Sequence, residues 1–184
     1  MIERVISGGQ TGADQASWRA AKRFGIATGG WMPRNFLTEA GLRPEFAAKY
    51  GAKEHVSSKY PPRTRANARI ASATLVFDAA PAKSLSTLSA GSQVTIRACM
   101  EYDKPSAVIP VGLGQIHDPR SVAVVVDWIN LHAGRTLNIA GNRESKFPGI
   151  GEWVEAFLCD VFKAMGLQEL PLEPPTPAPN DHPA

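Results

Sequence analysis

The sequence predicts an α/β fold: a doubly wound, mainly parallel sheet of about five strands with helices on both faces. Three observations carry this. Short apolar runs of strand length alternate with amphipathic helical stretches along the chain. Runs such as Ala73-Thr74-Leu75-Val76-Phe77-Asp78 are apolar enough for a strand buried on both sides, as parallel sheets require. Glycine-rich polar segments follow the predicted strand ends, where ligands bind in sheets of this kind. Right-handed crossovers between parallel strands then give a Rossmann-like sandwich.

The elements follow in order. Residues 2–7 form the first strand and residues 12–24 the first helix, with Gly25 as its natural C′ residue. A short second strand is expected at 26–30. Residues 31–62 hold Pro33, Pro44, Pro61 and Pro62, and an irregular stretch of that length is expected to be functional or to carry small helices. Helix 63–71, strand 73–78, helix 92–102 and strand 106–111 come next. Helix 119–132 places Val122, Val125, Val126 and Ile129 on one face, and strand 136–140 and the amphipathic helix 150–165 close the domain. Residues 1–168 are read as a single domain. Residues 169–184 are proline-dense and are read as a flexible tail.

Composition narrows the function classes. The chain has 184 residues, 43% hydrophobic and 20% charged, which suits one globular domain. A formal net charge of +3 is too mild to demand nucleic acid as a partner. No apolar run reaches the roughly 18 residues of a membrane span. A strand begins within two residues of the N-terminus, which speaks against a signal peptide. A cytoplasmic setting is therefore expected, with Cys99 and Cys159 as buried thiols. His55, His117, His132 and His182 share no metal-ligand spacing, and no protein-ligated zinc is expected.

The chemistry gathers first at Ser7-Gly8-Gly9-Gln10-Thr11-Gly12-Ala13-Asp14. A glycine-rich turn between a first strand and a first helix is a ready anion site: unpaired N–H groups point outward and glycine lets an oxyanion approach the backbone. The spacing matches neither the dinucleotide fingerprint nor the P-loop. The second segment is Gly141-Asn142-Arg143-Glu144-Ser145-Lys146, ahead of Phe147-Pro148-Gly149. Its Arg can clamp an oxyanion bidentately, and its Lys adds a point charge. Gly91, Ser92 and Thr95, at the start of a helix, form a weaker phosphate signal that an ordinary N-cap explains as well. Trp31 can stack on a ring, and Asn67 stands where a side chain can face the crevice. The basic run Lys49, Lys53, Lys59, Arg63, Arg65 and Arg69 reads more simply as a solvated face.

Together Gly8-Gly9-Gln10-Thr11-Gly12-Ala13-Asp14, Gly29-Gly30-Trp31 with Pro33, Asn67 ahead of Ala73-Thr74-Leu75, and Arg143-Glu144-Ser145-Lys146 with Pro148-Gly149-Ile150 resemble the putative molybdenum carrier family. That family looks like a branch of a Rossmann-like group. The group also holds the lysine decarboxylase-like "Lonely guy" phosphoribohydrolases and DNA-processing protein A. The resemblance implies an anionic, nucleotide-like ligand, with molybdenum cofactor suggested by the family's name. It also implies a homo-oligomer, a dimer or higher. Ala90-Gly91-Ser92 stands where relatives carry Gly-Gly-Thr. The helix start has no acid before Glu101, unlike the phosphoribohydrolase branch.

Three functions follow: a carrier for the anionic ligand, a hydrolase of nucleotide N-glycosidic bonds, or a nucleotide sensor. Asp14 and Glu144 are the candidate catalytic carboxylates. Asp14 sits in a helix's first turn and Glu144 between two cations, so both are expected to stay ionised.

Overall fold

The computed structural model describes residues 2–79, 84–112 and 117–171. The chain runs β1 (Arg4–Ser7), α1 (Ala13–Arg23), β2 (Ala27–Met32), a 3-10 turn (Arg34–Phe36), β3 (Leu37–Thr38), β4 (Gly41–Leu42), α2 (Phe46–Tyr50) and β5 (Ala52–Glu54). It continues α3 (Tyr60–Ile70), β6 (Ala73–Asp78), a second 3-10 turn (Leu85–Thr87), α4 (Ala90–Glu101), β7 (Ser106–Pro110), α5 (Pro119–His132), β8 (Thr136–Gly141) and α6 (Ile150–Ala164).

Six strands make one sheet in the order β5-β2-β1-β8-β6-β7, and every pairing is parallel. The α/β expectation holds, with one more strand than the sequence indicated. The extra strand, β5, comes from the stretch read as irregular, and β3 pairs with β4 in a separate antiparallel hairpin. On one face α1 packs along α6 and α6 along α5; on the other α3 packs on α4.

The two faces differ in kind. Val5, Leu75, Phe77, Leu137 and Ile139 meet Ala16, Ala20, Val154, Phe157, Leu158 and Phe162 in the main core. Each large side chain buried there contributes about 1.5–3 kcal/mol. Between α3 and α4 the contact is made by small residues, Ala68, Ala98 and Cys99. Trp18 leaves the main core and stacks on Tyr50, at 4.7 Å between ring centroids, to fix the β2–β5 edge. Its indole N–H donates to the Gly29 carbonyl at 2.8 Å.

Gly29 and Gly30 lie inside β2, so they do not form a polar segment beyond a strand end. Gly30 has φ of +119°, and a Cβ there would stand 2.1 Å from the Ser7 carbonyl oxygen. Glycine is required there by the positive φ and by the close approach of the neighbouring β1 backbone at Ser7. Where the tail was expected to start, the chain is tied down: Glu169 pairs with Arg23 and Lys163, and the Leu170 N–H donates to the Arg23 carbonyl at 2.7 Å. Residues 172–184, including His182, lie outside the described residues, as do 80–83 and 113–116.

Candidate functional site

Parallel strands send their carboxyl ends to one edge, and four connections meet there: β1 to α1, β5 to α3, β6 to α4 and β8 to α6. Gln10, Asp14, Tyr60, Arg63, Thr95, Gly141 and Arg143 line a cavity of about 280 Å³ at that edge. A neighbouring hollow of about 420 Å³ shares Ala90, Gly91, Gly141 and Arg143 and adds Lys146. Residues near position 10 and residues near position 145 therefore line adjoining hollows that share Arg143.

The glycine-rich turn is built differently from a free anion nest. The Gly9 N–H donates to Ser7 Oγ at 3.3 Å, Gln10 N–H to Asp14 Oδ2 at 3.1 Å, and Thr11 N–H to Gln10 Oε1 at 3.0 Å. The Ala13 N–H reaches the Asn142 carbonyl at 3.2 Å. These amides are spent within the protein, the Gln10 N–H on the Asp14 carboxylate and the others on neutral oxygens. The glycines serve shape instead. Gly9 and Gly12 take φ of +71° and +77°, and a Cβ on Gly8 would stand 1.5 Å from Arg63 Nη1.

Arg63 is the cation that the sequence hid. It is 9% exposed, whereas Lys49, Lys53, Lys59, Arg65 and Arg69 are exposed as a solvated face would be. Its Nη1 lies 3.7 Å from Asp14 Oδ2, and its Nε is buried with no hydrogen-bond partner. Gln10 Nε2 is buried and unpartnered as well. Both residues line the same cavity, and a buried donor without an acceptor is a rare and costly state in a folded protein.

Burial pushes the Asp14 carboxyl above its ordinary range; Arg63, the Gln10 N–H and Arg143 pull the other way. Desolvation of this enclosed carboxyl thus works against the first-turn dipole, which favours the charged form. Burial likewise lowers the Arg63 guanidinium, against the pull of Asp14. A guanidinium nonetheless stays charged in proteins.

Arg143 is half-buried. Its guanidinium carbon lies 4.6 Å from the Tyr60 ring centroid, and Nη1 is 4.0 Å from Glu39 Oε2. Glu39, from the β3–β4 hairpin, was missed by sequence reasoning. It accepts from Thr11 Oγ1, from the Ser145 N–H at 3.2 Å and from Ser145 Oγ at 2.5 Å, so it buckles the turn to the 143–146 loop. Desolvation opposes its charge, yet these hydrogen bonds together with Arg143 bring its carboxyl below the usual range.

The other predicted residues sort by geometry. Glu144 accepts from the Gly149 N–H at 2.5 Å and the Gly151 N–H at 3.0 Å, which makes it the cap of α6. Ser92 is buried and takes part in the N-cap of α4, its N–H donating to Ser89 Oγ at 3.3 Å. Gly91 faces open space at the first turn of the same helix. Thr95 lines the cavity while its hydroxyl donates to the Gly91 carbonyl at 3.1 Å. Asn67 brackets the Trp31 backbone, accepting from its N–H at 2.7 Å and donating to its carbonyl at 3.0 Å. The Trp31 ring lines a separate groove with His55, Arg65 and Arg69. Neither Trp31 nor Asn67 is among the cavity's lining residues.

Comparison with known proteins places the chain. Residues 5–162 match the model of the circularly permutated YpsA SLOG family. The chain belongs to that family. In this chain's sheet the last strand, β8, lies beside the first. Moving β8 to the front of the chain would make β8, β1, β2 and β5 successive neighbours. Among solved structures, this SLOG chain is similar to a protein from Syntrophus aciditrophicus SB titled a putative molybdenum carrier protein. The two share 34% identity over 88% of this chain and 94% of that one, with a TM-score of 0.75. No curated protein matches.

Proposed function

We propose that this SLOG protein binds an anionic, nucleotide-like ligand in the groove beside Arg63 and Arg143 and acts as its carrier. One observation carries the reading: a buried arginine and a buried glutamine, each with an unpartnered donor, line the same cavity. Lys146 and the first turn of α4 at Ala90 and Gly91 extend the positive lining into the adjoining hollow. The two hollows together fall in the usual size range of small-molecule sites, about 300–1,000 Å³.

Molybdenum cofactor or molybdate enters through the solved relative's title, and the residues fit it in one way only. Among the described residues no three His, Cys, Asp or Glu stand together as a metal site. A molybdenum-bearing ligand would be held through phosphate or oxyanion oxygens, by Arg63, Arg143 and Lys146, and not by ligation of the metal. Calorimetric titration with molybdate and a panel of nucleoside monophosphates, alongside mass and metal analysis of the purified protein, tests this. Saturable binding that Arg143→Gln weakens at least about tenfold is expected for loss of a charge-assisted contact. No ligand and no binding would end the proposal.

A second reading, hydrolysis of nucleotide N-glycosidic bonds, draws on Asp14. Burial gives this cavity-lining carboxyl a proton-holding tendency that a general acid needs. Release of free base from a nucleoside monophosphate, abolished by Asp14→Asn, is its test. We further read the protein as a cytoplasmic homo-oligomer. Exposed Val124 and Leu131 on α5 support the oligomer. No helix among the described residues is long and apolar enough to cross a membrane. Light scattering tests the oligomer.

A further inference from the structure

Both arginines of the groove already face an acid before any ligand arrives. Arg63 faces Asp14 at 3.7 Å, and Arg143 faces Glu39 at 4.0 Å. Asp14 is the one acid among the residues that line the cavity, and it is 3% exposed. It is also the acceptor for the turn's Gln10 N–H. An incoming oxyanion that satisfies Arg63 must therefore share a guanidinium with a carboxylate in a water-poor pocket. Two anions at that range in low dielectric repel strongly.

We infer that an anion entering beside Arg63 takes the place of Asp14 as the arginine's partner, and that Asp14 binds a proton from the buffer as it does so. The inference rests on the anion-binding reading above and adds its regulation: capture is favoured by acid and release by base. Among the described residues, the groups that face Asp14 are these. From α3 come Arg63 and Tyr60, and from the β8–α6 loop comes Arg143, with Glu39 of the hairpin behind it. The turn adds backbone N–H groups, and the cavity-lining part of α4, Ala90 to Thr95, contributes no titratable side chain. On β6, Asp78 turns its carboxylate to the Ser89 N–H at 3.1 Å and Asn142 Nδ2 at 3.4 Å. Burial raises Asp14 in the same sense as the inference requires.

Linkage fixes the sign. The complex holds Asp14 protonated to higher pH than the free protein does, so between those two values binding takes up close to one proton. Affinity there falls by up to about tenfold per pH unit. The probes are inorganic sulfate, whose own charge is constant from weakly acid to weakly basic pH, and molybdate at neutral to weakly basic pH, where it stays the monomeric dianion. Calorimetry on the full chain in two buffers of different ionisation enthalpy reads the proton count directly. Asp14→Asn should bind both anions about tenfold or more tightly, with no proton uptake and little pH dependence. If that variant fails to fold, the proton count of the parent protein decides alone. Parent binding with no proton uptake, or a variant that binds more weakly while folded, overturns the inference and leaves the anion site standing. Absence of binding by both proteins overturns the site and the inference together.

Discussion

Gly8→Ala isolates the contribution of Arg63 without removing a charge. The new methyl group would stand 1.5 Å from Nη1 and 2.1 Å from Cζ of Arg63, so the guanidinium must leave its place. The Gly8 backbone does not have a positive φ, and the obstructing atoms are the end of a long side chain, so the turn itself is kept. At 3.7 Å, and with an effective dielectric near 20, the lost attraction to Asp14 is about 4 kcal/mol. Removing one partner of a buried pair costs about 3–5 kcal/mol; the displaced arginine keeps its charge and Asp14 can take a proton, which puts the cost at the low end. For a protein of this size each kcal/mol lowers the melting temperature by about 2–4 °C, so a fall of about 6–12 °C is expected. Calorimetric titration with molybdate should show affinity reduced at least about tenfold, as for loss of a charge-assisted contact. A folded Gly8→Ala protein that binds as the parent does would refute the placement of Arg63 at the ligand. Gly30→Ala is the contrast: its obstruction is the Ser7 backbone, so it should fail to fold.

Further outcomes follow from the same geometry. Glu144→Gln should lower stability by about 1 kcal/mol through the weakened cap of α6, read by thermal unfolding, and leave anion affinity unchanged. Trp18→Ala, which empties the contact with Phe46 and Tyr50, should cost about 3–5 kcal/mol in denaturant titration. Cys99 and Cys159 are buried, and burial pushes both thiols up, so neither should react with a thiol reagent at neutral pH until the protein is unfolded. The Glu39 carboxyl lies below its ordinary range in the folded state. Its stabilising contribution is present above the unfolded-state value and lost as pH falls through the folded one. Glu39→Gln should accordingly flatten the acid side of a melting-temperature profile.

Most of the frame was legible because buried parallel strands leave long apolar runs, and the long helices carry periodic faces with clear ends. β5 was not, since three residues reading Ala-Lys-Glu pair through their backbones at a sheet edge and need no apolar pattern. The two-residue strands β3 and β4 left even less. The rule that strand ends converge brought residues 10–14 and residue 143 to one cavity, but it did not single out the buried Arg63. Arg63 looked like one of six basic residues. A signal was present: Arg63 shares the spacing of Tyr60, Thr64, Asn67 and Ala68, the inward stripe of α3. A charged residue on a buried stripe needs a partner. The roles of Glu144 and Asn67 depended on which backbone groups each would meet, and spacing alone does not fix that. Glu39 stands at a hairpin tip whose docking only tertiary structure decides.

A crystal structure of the protein with molybdate or a nucleoside monophosphate is the most direct measurement. Oxyanion density is expected between Arg63 and Arg143, within hydrogen-bond reach of Gln10 Nε2 and facing the first turn of α4. Well-ordered ligand bound elsewhere, with this groove closed or holding water alone, would contradict it.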